Sequence, residues 1–336
     1  MDTLPPLSEA IKTLGDYGKT VNLTGVKDTD LLILQKLNDK DLLQACLVNK
    51  AINKACKDES FWRNRSLEKF PLASKYKLEK ESWRHFYLKF VHQVNKYSNW
   101  GHLLRQACFI GDLSLVVFSL EKKEENVDID NNLPLLLANQ GSYYAIIKYL
   151  VLHGVDPNVD NGNILHWNCA HGNLDIVQFL IENGALSHIH SRNDLALRWA
   201  ATKNNTDIVI YLLDKGANIH ADNDEPLRKY AMRGDLKMVK YLIERGAMVT
   251  AESLVFRHAV IKGHLNVVEY LTEIGLTADA NPKTLVWAGI QSGKIDMVKF
   301  LVEHGYPIHP EDIQEAKTKG YTDIVDFFKN IKIEVK

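Results

Sequence analysis

Hydrophobic positions recur in register along most of this chain, and the clearest copy is HGNLDIVQFLIENGA at residues 171–185. An apolar pair such as Ile176-Val177 stands four and five places after an anchor residue, and an aromatic ring such as Phe179 stands seven places after it. The anchors are Gly111, Ser142, Gly172, Asn204, Gly234, Gly263, Gly293 and Gly320. Eight copies predict an array of repeats with a period of about 30 residues.

Each copy has the pattern of two short helices joined by a tight turn. In residues 163–185 the spacing predicts a first helix that ends at His171 and a second helix that runs from Leu174 to Gly184. Glycine after a helix supplies a left-handed residue without a side-chain clash. The second helix has one apolar face, formed by Ile176, Val177, Leu180 and Ile181. Because one pair of helices cannot bury this face, the repeats must stack on one another.

The copies resemble ankyrin repeats. Several second helices end in Gly-Ala, at Gly184-Ala185, Gly216-Ala217 and Gly246-Ala247, and Leu165-His166 keeps half of the Thr-Pro-Leu-His signature. The resemblance implies an all-α helical solenoid of eight repeats over residues 99–336, with a lysine-rich last repeat as a cap. The short period predicts shortened hairpins between the repeats.

Residues 28–70 have a different pattern, with three short apolar helical stretches. In order they contain Asp41-Leu42-Leu43, Leu47-Val48, Lys50, Lys54 and Phe61-Trp62. This order resembles the later half of an F-box. Two positions depart from the family, because Thr29-Asp30 replaces an opening Leu-Pro and Ile52 replaces a central tryptophan. The resemblance implies docking on a Skp-type adaptor of a cullin–RING ubiquitin ligase.

The docking prediction rests on apolar side chains of this module, and a small helical bundle that only caps the repeats is the alternative. The predicted adaptor-binding residues are Leu31, Leu34, Leu37, Leu42, Leu43, Val48, Ile52, Phe61 and Trp62. Residues 1–27 are predicted to be an irregular lead. Within residues 71–98, an amphipathic helix from about residue 79 to 97 is predicted to join the module rigidly to the first repeat.

Composition narrows the class of protein. The chain has 336 residues, 46% of them hydrophobic, and a net charge of −1. Residues 1–98 hold 17 Lys and Arg against 12 Asp and Glu, and the rest holds 24 against 30. This excess of positive charge is too small to indicate a nucleic-acid partner.

Without an apolar run of membrane-spanning length, no membrane partner is expected either. Four cysteines, Cys46, Cys56, Cys108 and Cys169, lack paired spacing and predict free thiols in a reducing cytoplasm, with the nucleus as an alternative.

The sequence contains no pattern typical of catalysis, so an enzyme, a cofactor and a catalytic residue are not expected. His188 and His190 are the nearest approach to a metal-ligand pair, but they lack acidic or cysteine company. The ring column from Phe118 to Phe327 has two interpretations, core packing between repeats or an exposed ligand face, and core packing is favoured.

The residue immediately before the anchor is basic in four successive repeats. We call His171, Lys203, Arg233 and Lys262 the cationic ladder. One interpretation is a groove that binds an acidic segment of a target protein. The other is that cations in the last turn of a helix complement its dipole, and both can hold together.

The combination of the two modules resembles F-box/ankyrin proteins of large DNA viruses and of some intracellular bacteria, which implies an influence on host ubiquitination. The predicted function is therefore a non-enzymatic adaptor, a substrate receptor whose repeats bind an unknown target protein. The alternative is an ankyrin scaffold whose N-terminal helices only cap the stack.

Overall fold

The computed structural model describes residues 34–35, 37–48, 53–54, 56–96, 100–121, 132–250, 254–277 and 281–331. The chain divides into two units, 1–156 and 157–336. The described residues form helices, turns and loops without a strand, which confirms the all-α prediction. None of the described helices is both long enough and apolar enough to cross a bilayer.

The first unit contains the module, a joining helix and two repeats. Its helices are α1 (Asp39–Val48), α2 (Glu59–Lys69), α3 (Trp83–Lys96), α4 (Trp100–Ile110), α5 (Leu113–Glu121), α6 (Leu133–Gln140) and α7 (Tyr144–Leu152), with a 3-10 turn at Ala73–Tyr76. Repeat 1 is the pair α4 and α5, and repeat 2 is the pair α6 and α7. The joining helix α3 begins at Trp83, four residues later than predicted, because Lys77–Ser82 form turns and bends.

The second unit contains six further pairs of helices. In order they are α8 (Val159–His171), α9 (Leu174–Glu182), α10 (Ser191–Lys203), α11 (Thr206–Asp214), α12 (Ala221–Arg233), α13 (Leu236–Glu244), α14 (Val255–Lys262), α15 (Leu265–Glu273), α16 (Leu285–Gln291), α17 (Ile295–Glu303), α18 (Pro310–Thr318) and α19 (Thr322–Asn330). The pairs form repeats 3 to 8. The first helix of each repeat packs against the first helix of the next, from α8 to α18.

Stacking buries equivalent positions in every repeat of the second unit. On the second helices, Leu180, Leu212 and Leu242, each following the aromatic ring, are fully buried. On the first helices, Leu165 and Leu197 are fully buried at matching positions. Because the same registers are filled by apolar side chains each time, the repeat pattern in the sequence is the pattern of the core.

The first helices of repeats 3, 4 and 5 each begin with an unusual turn. Three consecutive residues adopt left-handed φ values at 160–162, 192–194 and 222–224. Asn, Asp and Gly dominate these positions, as expected for residues that tolerate this conformation. The carboxylate of Asp194 accepts a hydrogen bond from the backbone of Asn218 at 2.8 Å, and that of Asp224 accepts one from Met248 at 3.1 Å. The turns at 192–194 and 222–224 are therefore each tied to the loop that leads into the following repeat.

The ring column lies at the edge of the core. Phe118 is buried, whereas the other seven rings, from Tyr149 to Phe327, are only partly buried. Four of them carry a cation over one face, as in Lys240 over Tyr270 at 4.8 Å. The leucine that follows the ring, and not the ring itself, fills the centre of the stack. The prediction of core packing therefore applies in full only to Phe118.

The prediction of four free thiols was wrong for two of the cysteines. Cys46 in α1 and Cys56 before α2 form a disulfide with their Cα atoms 5.8 Å apart. Their sequence separation carries no pairing signal, and only the fold brings them together. Cys108 and Cys169 are free and buried, as predicted, and burial raises the pKa of the Cys108 thiol to about 12. The argument from cysteines for a reducing compartment therefore fails.

Candidate protein-interaction sites

The N-terminal module is built around large aromatic side chains. Phe61 and Trp62 on α2 are buried, with their rings in an edge contact at 5.1 Å. The indole Nε1 of Trp62 donates a hydrogen bond to the carbonyl of Cys56 at 2.7 Å. The Trp62 ring also contacts Tyr87 of α3 at 5.3 Å. Residues far apart in the sequence therefore share one small core.

A polar network crosses the same core. Arg65 donates hydrogen bonds to the hydroxyl of Tyr87 at 2.6 Å, to the carbonyl of Leu37 at 2.6 Å and to the carboxylate of Asp39 at 3.0 Å. Asp39 also accepts hydrogen bonds from Lys69 and Tyr87. Burial alone would raise the pKa of Asp39, but the hydrogen bonds from Lys69, Tyr87 and Arg65 outweigh it and lower the pKa. The network holds α1, α2 and α3 in one arrangement.

The same core extends into repeat 1. Phe70, at the end of α2, packs against Phe90 of α3 at 4.8 Å. Both rings meet Phe118 of α5 in edge contacts at 5.2 Å. The ammonium of Lys89 on α3 pairs with Asp112 at 2.8 Å. The predicted tie between module and first repeat is thus formed by aromatic packing and an ion pair.

Most described members of the predicted docking set lie inside the module. Leu34, Leu42, Leu43, Phe61 and Trp62 are buried, and Leu37 is half-buried. Leu31 and Ile52 lie outside the described residues, and of Val48 the structure describes only its backbone at the end of α1. The buried side chains form the module's core and not its surface in this structure. The adaptor-binding role of the set stays a prediction, and Leu37 is its one described member with a partly exposed side chain.

The cationic ladder lies where the repeat pattern places it. His171, Lys203, Arg233 and Lys262 are the last residues of α8, α10, α12 and α14, and all four are exposed. The imidazole of His171 stacks on the indole of Trp167 at 4.0 Å. Each cation is thus next to the carbonyl end of its helix, so the dipole interpretation holds geometrically, and the target-binding role stays a prediction.

Ladder residues and their neighbours also connect successive repeats. Arg233 donates a hydrogen bond to the carbonyl of Ala201 at 2.7 Å, in the last turn of the preceding first helix. Asn205, one residue after its anchor, donates to the carbonyls of Cys169 and Ala170 at 2.8 and 3.0 Å. His264, at the same register, hydrogen-bonds the Met232 carbonyl at 2.9 Å. The exposed carbonyls at one helix end are therefore capped by the next repeat.

Comparison with known protein families identifies both parts of the chain. The family described as F-box-like matches residues 31–68. The family described as Ankyrin repeats (3 copies) matches residues 104–193 and 186–253. The chain contains an F-box-like domain followed by ankyrin repeats. Both are non-catalytic interaction modules. No curated protein matches the chain.

A second row of residues on the ankyrin first helices was not predicted from the sequence. Five places before their anchors stand Trp167, Trp199, Lys229 and His258, four residues before each member of the cationic ladder. Residues four apart lie on one helix face, so the two rows are adjacent. Trp167 and Trp199 are 37% and 38% exposed. The position of this row could be counted from the anchors in the sequence, but the sequence does not show that the tryptophan side chains are exposed.

Positive charge accumulates on this face at repeats 5 and 6. Lys229 pairs with Glu225 at 3.2 Å, and Arg198 of the preceding first helix also binds Glu225. Burial lowers the pKa of His258, and the charges of Arg228, Lys229 and Lys262 lower it further. Three cationic side chains therefore act on His258, of which Lys229 is paired with Glu225 and Arg228 with Asp222.

The two histidines considered as metal ligands have other partners. His188 hydrogen-bonds the hydroxyl of Ser191 at 2.9 Å, and His190 pairs with Asp194 at 3.0 Å. Across the described ranges no three His, Cys, Asp or Glu side chains are grouped to hold a metal ion. The His190–Asp194 pair belongs to the left-handed turn described above.

Proposed function

We propose that this chain is a non-enzymatic substrate receptor of an SCF-type cullin–RING ubiquitin ligase. In this proposal the F-box-like domain docks on a Skp-type adaptor, and the ankyrin repeats bind the protein to be modified. The observation that supports it best is the rigid joint between the two parts, through Phe70, Phe90 and Phe118. A receptor has to hold its cargo at a fixed place relative to the ligase, and this packing fixes repeat 1 against the F-box-like domain.

The location that fits this role is the cytoplasm, or the host cytoplasm for a protein of viral origin. The proposal rests on the two domain families and on the joint between them.

The test is binding of the full chain to a purified Skp-type adaptor, measured by isothermal titration calorimetry. We expect a complex with one adaptor per chain. No complex at concentrations up to about 100 µM, where even a weak specific complex forms, would contradict the ligase role. Leu42→Asp is unsuitable as a probe, because Leu42 is buried and the substitution would unfold the domain.

Exposed residues give a cleaner variant. Lys54 matches the basic part of the F-box pattern, and Lys54 and Lys57 are both exposed. We expect Lys54→Glu with Lys57→Glu to weaken adaptor binding by about fivefold, because charges at an interface rim act on association. The matched control is Lys75→Glu with Lys80→Glu, two exposed lysines outside the matched stretch, which should bind normally.

A second candidate is a scaffold in which the F-box-like domain only covers the first repeat. The packing of Phe70 and Phe90 on Phe118 also favours this role, because it buries the free side of repeat 1. If the chain is only a scaffold, a chain beginning at residue 99 should aggregate and the full chain should not bind the adaptor. If it is a receptor, the full chain must bind the adaptor, so the calorimetry above distinguishes the two functions.

A further inference from the structure

The exposed tryptophans of repeats 3 and 4 are not needed to build the stack. Trp167 and Trp199 occupy the same register as Lys229 and His258 on the first helices of repeats 5 and 6. All four first helices pack on their neighbours in the same way. Since lysine and histidine serve equally well at this register, stacking does not require an indole there. Two large apolar side chains left more than one third exposed, in matching positions on adjacent helices, indicate a contact surface.

The surface changes character along the stack. At repeats 3 and 4 the outward row is aromatic, with Trp167 stacked on His171. At repeats 5 and 6 it is cationic, with Lys229 beside Arg233 and His258 beside Lys262. We call the row Trp167, Trp199, Lys229 and His258, together with the adjacent cationic ladder, the tryptophan–cation face.

We propose that the tryptophan–cation face binds an extended acidic segment of a partner protein, with large apolar side chains on the tryptophans and carboxylates over Lys229, Arg233 and Lys262. This inference rests on the proposed function, because it specifies the chemistry of the target that the repeats recognise. Charge complementarity selects the occupant, since aromatic and guanidinium groups are typical anchors of protein interfaces and the cations would pair with carboxylates.

The geometry sets the spacing of the segment. Packed helices lie about 10 Å apart. An extended chain advances about 3.3 Å per residue, so one repeat corresponds to about three residues. The recognised pattern is therefore two apolar side chains about three residues apart, followed at about the same step by acidic residues.

A nucleic acid fits less well. Residues 99–336 hold 24 basic against 30 acidic side chains, so this part of the chain has no excess of positive charge. The second helices start with acidic residues, among them Asp175 and Asp207. A phosphate backbone gains most from extended basic surfaces, whereas a short acidic segment needs only a local one.

The experiment uses the full chain and three soluble probes of matched length in a fluorescence titration. The probes are a random glutamate–tyrosine copolymer, polyglutamate and single-stranded oligo-dT. We expect the copolymer to bind about fivefold more tightly than polyglutamate, because aromatic contacts add to the charge term. Binding of both should weaken when salt rises, because the cations are exposed. Equal affinity for copolymer and polyglutamate, tighter binding of oligo-dT, or no binding of any probe would overturn the proposal.

Two sets of variants locate the contact. Trp167→Gln with Trp199→Gln should remove the preference for the copolymer and leave polyglutamate binding intact. Lys262→Glu should weaken both acidic probes by about threefold, because the charge of an exposed side chain is reversed. The matched control is Trp287→Gln on α16, which removes a tryptophan that is 39% exposed but lies one register away. A loss of preference in the control, or none in the double tryptophan variant, would contradict the proposal.

Two further measurements separate this surface from folding and from the ligase role. Thermal unfolding followed by circular dichroism must show that each variant is folded before its affinity is interpreted. The indole resonances of Trp167 and Trp199 should shift when the copolymer binds, because its tyrosines would lie against them. Unchanged indole resonances in the bound state would place the probe elsewhere. Adaptor binding by the same variants should be normal. The two proposals are therefore tested independently: a chain that does not bind the adaptor can still bind the copolymer, and a chain that does not bind the copolymer can still bind the adaptor.

Discussion

The F-box-like domain and the ankyrin repeats are both helical, but they are held together by different kinds of contact. In the domain, Arg65 joins Asp39 and Tyr87 across 26 and 22 residues of sequence, and Cys46 is bonded to Cys56. In repeats 3 to 8 the contacts recur at equal registers, as in the buried Leu180, Leu212 and Leu242. The domain depends on a few irreplaceable residues, whereas the repeats share their stability over many equivalent ones.

This difference predicts which single substitutions should lower the free energy of unfolding most. Removing one member of the polar network leaves charged and polar groups buried without partners, and the small domain has little other core to compensate. Removing one inter-repeat hydrogen bond affects only the two repeats it joins.

Arg65→Met should break the polar network of the F-box-like domain. Asp39 and the Tyr87 hydroxyl would lose a buried donor, so we expect the free energy of unfolding of α1–α3 to fall by about 3–5 kcal/mol. Hydrogen exchange should show lost protection in α1–α3 and unchanged protection in α10–α13. Arg63→Met, on the exposed side of the same helix, is the control and should leave exchange unchanged. Equal effects of the two substitutions would show that the network does not stabilise the domain.

Reduction of the Cys46–Cys56 disulfide should destabilise the same domain. Closing a loop of this length removes entropy from the unfolded chain, so we expect a loss of about 3 kcal/mol on reduction. Alkylation before and after treatment with dithiothreitol should reveal two additional thiols by intact mass. The double variant Cys46→Ser with Cys56→Ser should resemble the reduced protein and be insensitive to dithiothreitol. Destabilisation of the variant by dithiothreitol would assign the effect to another site.

Acid should destabilise the second unit through His166. Its side chain is fully buried, and within the described chain neither ring nitrogen has a hydrogen-bond partner. Burial lowers its pKa from 6.5 to about 4, and the charges of Arg192 and His188 contribute. The unfolded chain therefore takes up a proton at higher pH than the folded chain does. Stability from this residue is intact above pH 6.5 and falls as the pH drops toward about 4.

The expected loss for His166 is about 3 kcal/mol between these pH values. Urea unfolding of the second unit, followed by hydrogen exchange at pH 7, 5 and 4, measures it. His166→Leu should flatten the pH dependence, whereas His304→Gln, a change at an exposed histidine, should not. If His166→Leu and the unchanged protein respond to acid identically, another group is responsible.

Asn205→Ala should have the smallest effect. It removes two hydrogen bonds to the carbonyls of Cys169 and Ala170, so we expect a loss of about 1–2 kcal/mol confined to repeats 3 and 4. The control is Asn183→Ala, because Asn183 is exposed and donates only to Phe179 in its own helix. Hydrogen exchange of α8 and α10 distinguishes the variants. A loss spread evenly over the second unit would mean that the repeats do not unfold locally.

The repeats were largely predictable because their contacts are local and periodic. The anchors, the helix ends at His171 and the apolar face at Ile176 follow from spacing, and the structure confirms them. The cationic ladder was also placed correctly, since its residues are counted from the same anchors. The tryptophan row was equally visible in register, but a sequence does not state which face of a helix stays exposed. Only the structure shows that Leu165 and Leu197 are buried while the nearby tryptophans are exposed.

The F-box-like domain was recognisable but its interior was not. The order of apolar residues predicted the family, and the family match at residues 31–68 confirms it. The same residues were assigned to docking, yet Leu42 and Trp62 lie fully buried. A pattern of hydrophobic residues cannot distinguish a side chain that meets a partner from one that meets its own domain.

By itself the sequence predicted the register of the helix pairs and the presence of two kinds of domain. It could do so because equivalent buried positions carry the same types of apolar residue in every repeat. Only the tertiary structure decided that Cys46 meets Cys56, that Arg65 satisfies Asp39, and that two tryptophans stay exposed beside a row of cations. Those contacts join or separate residues without a fixed spacing, so they depend on how the chain closes in space.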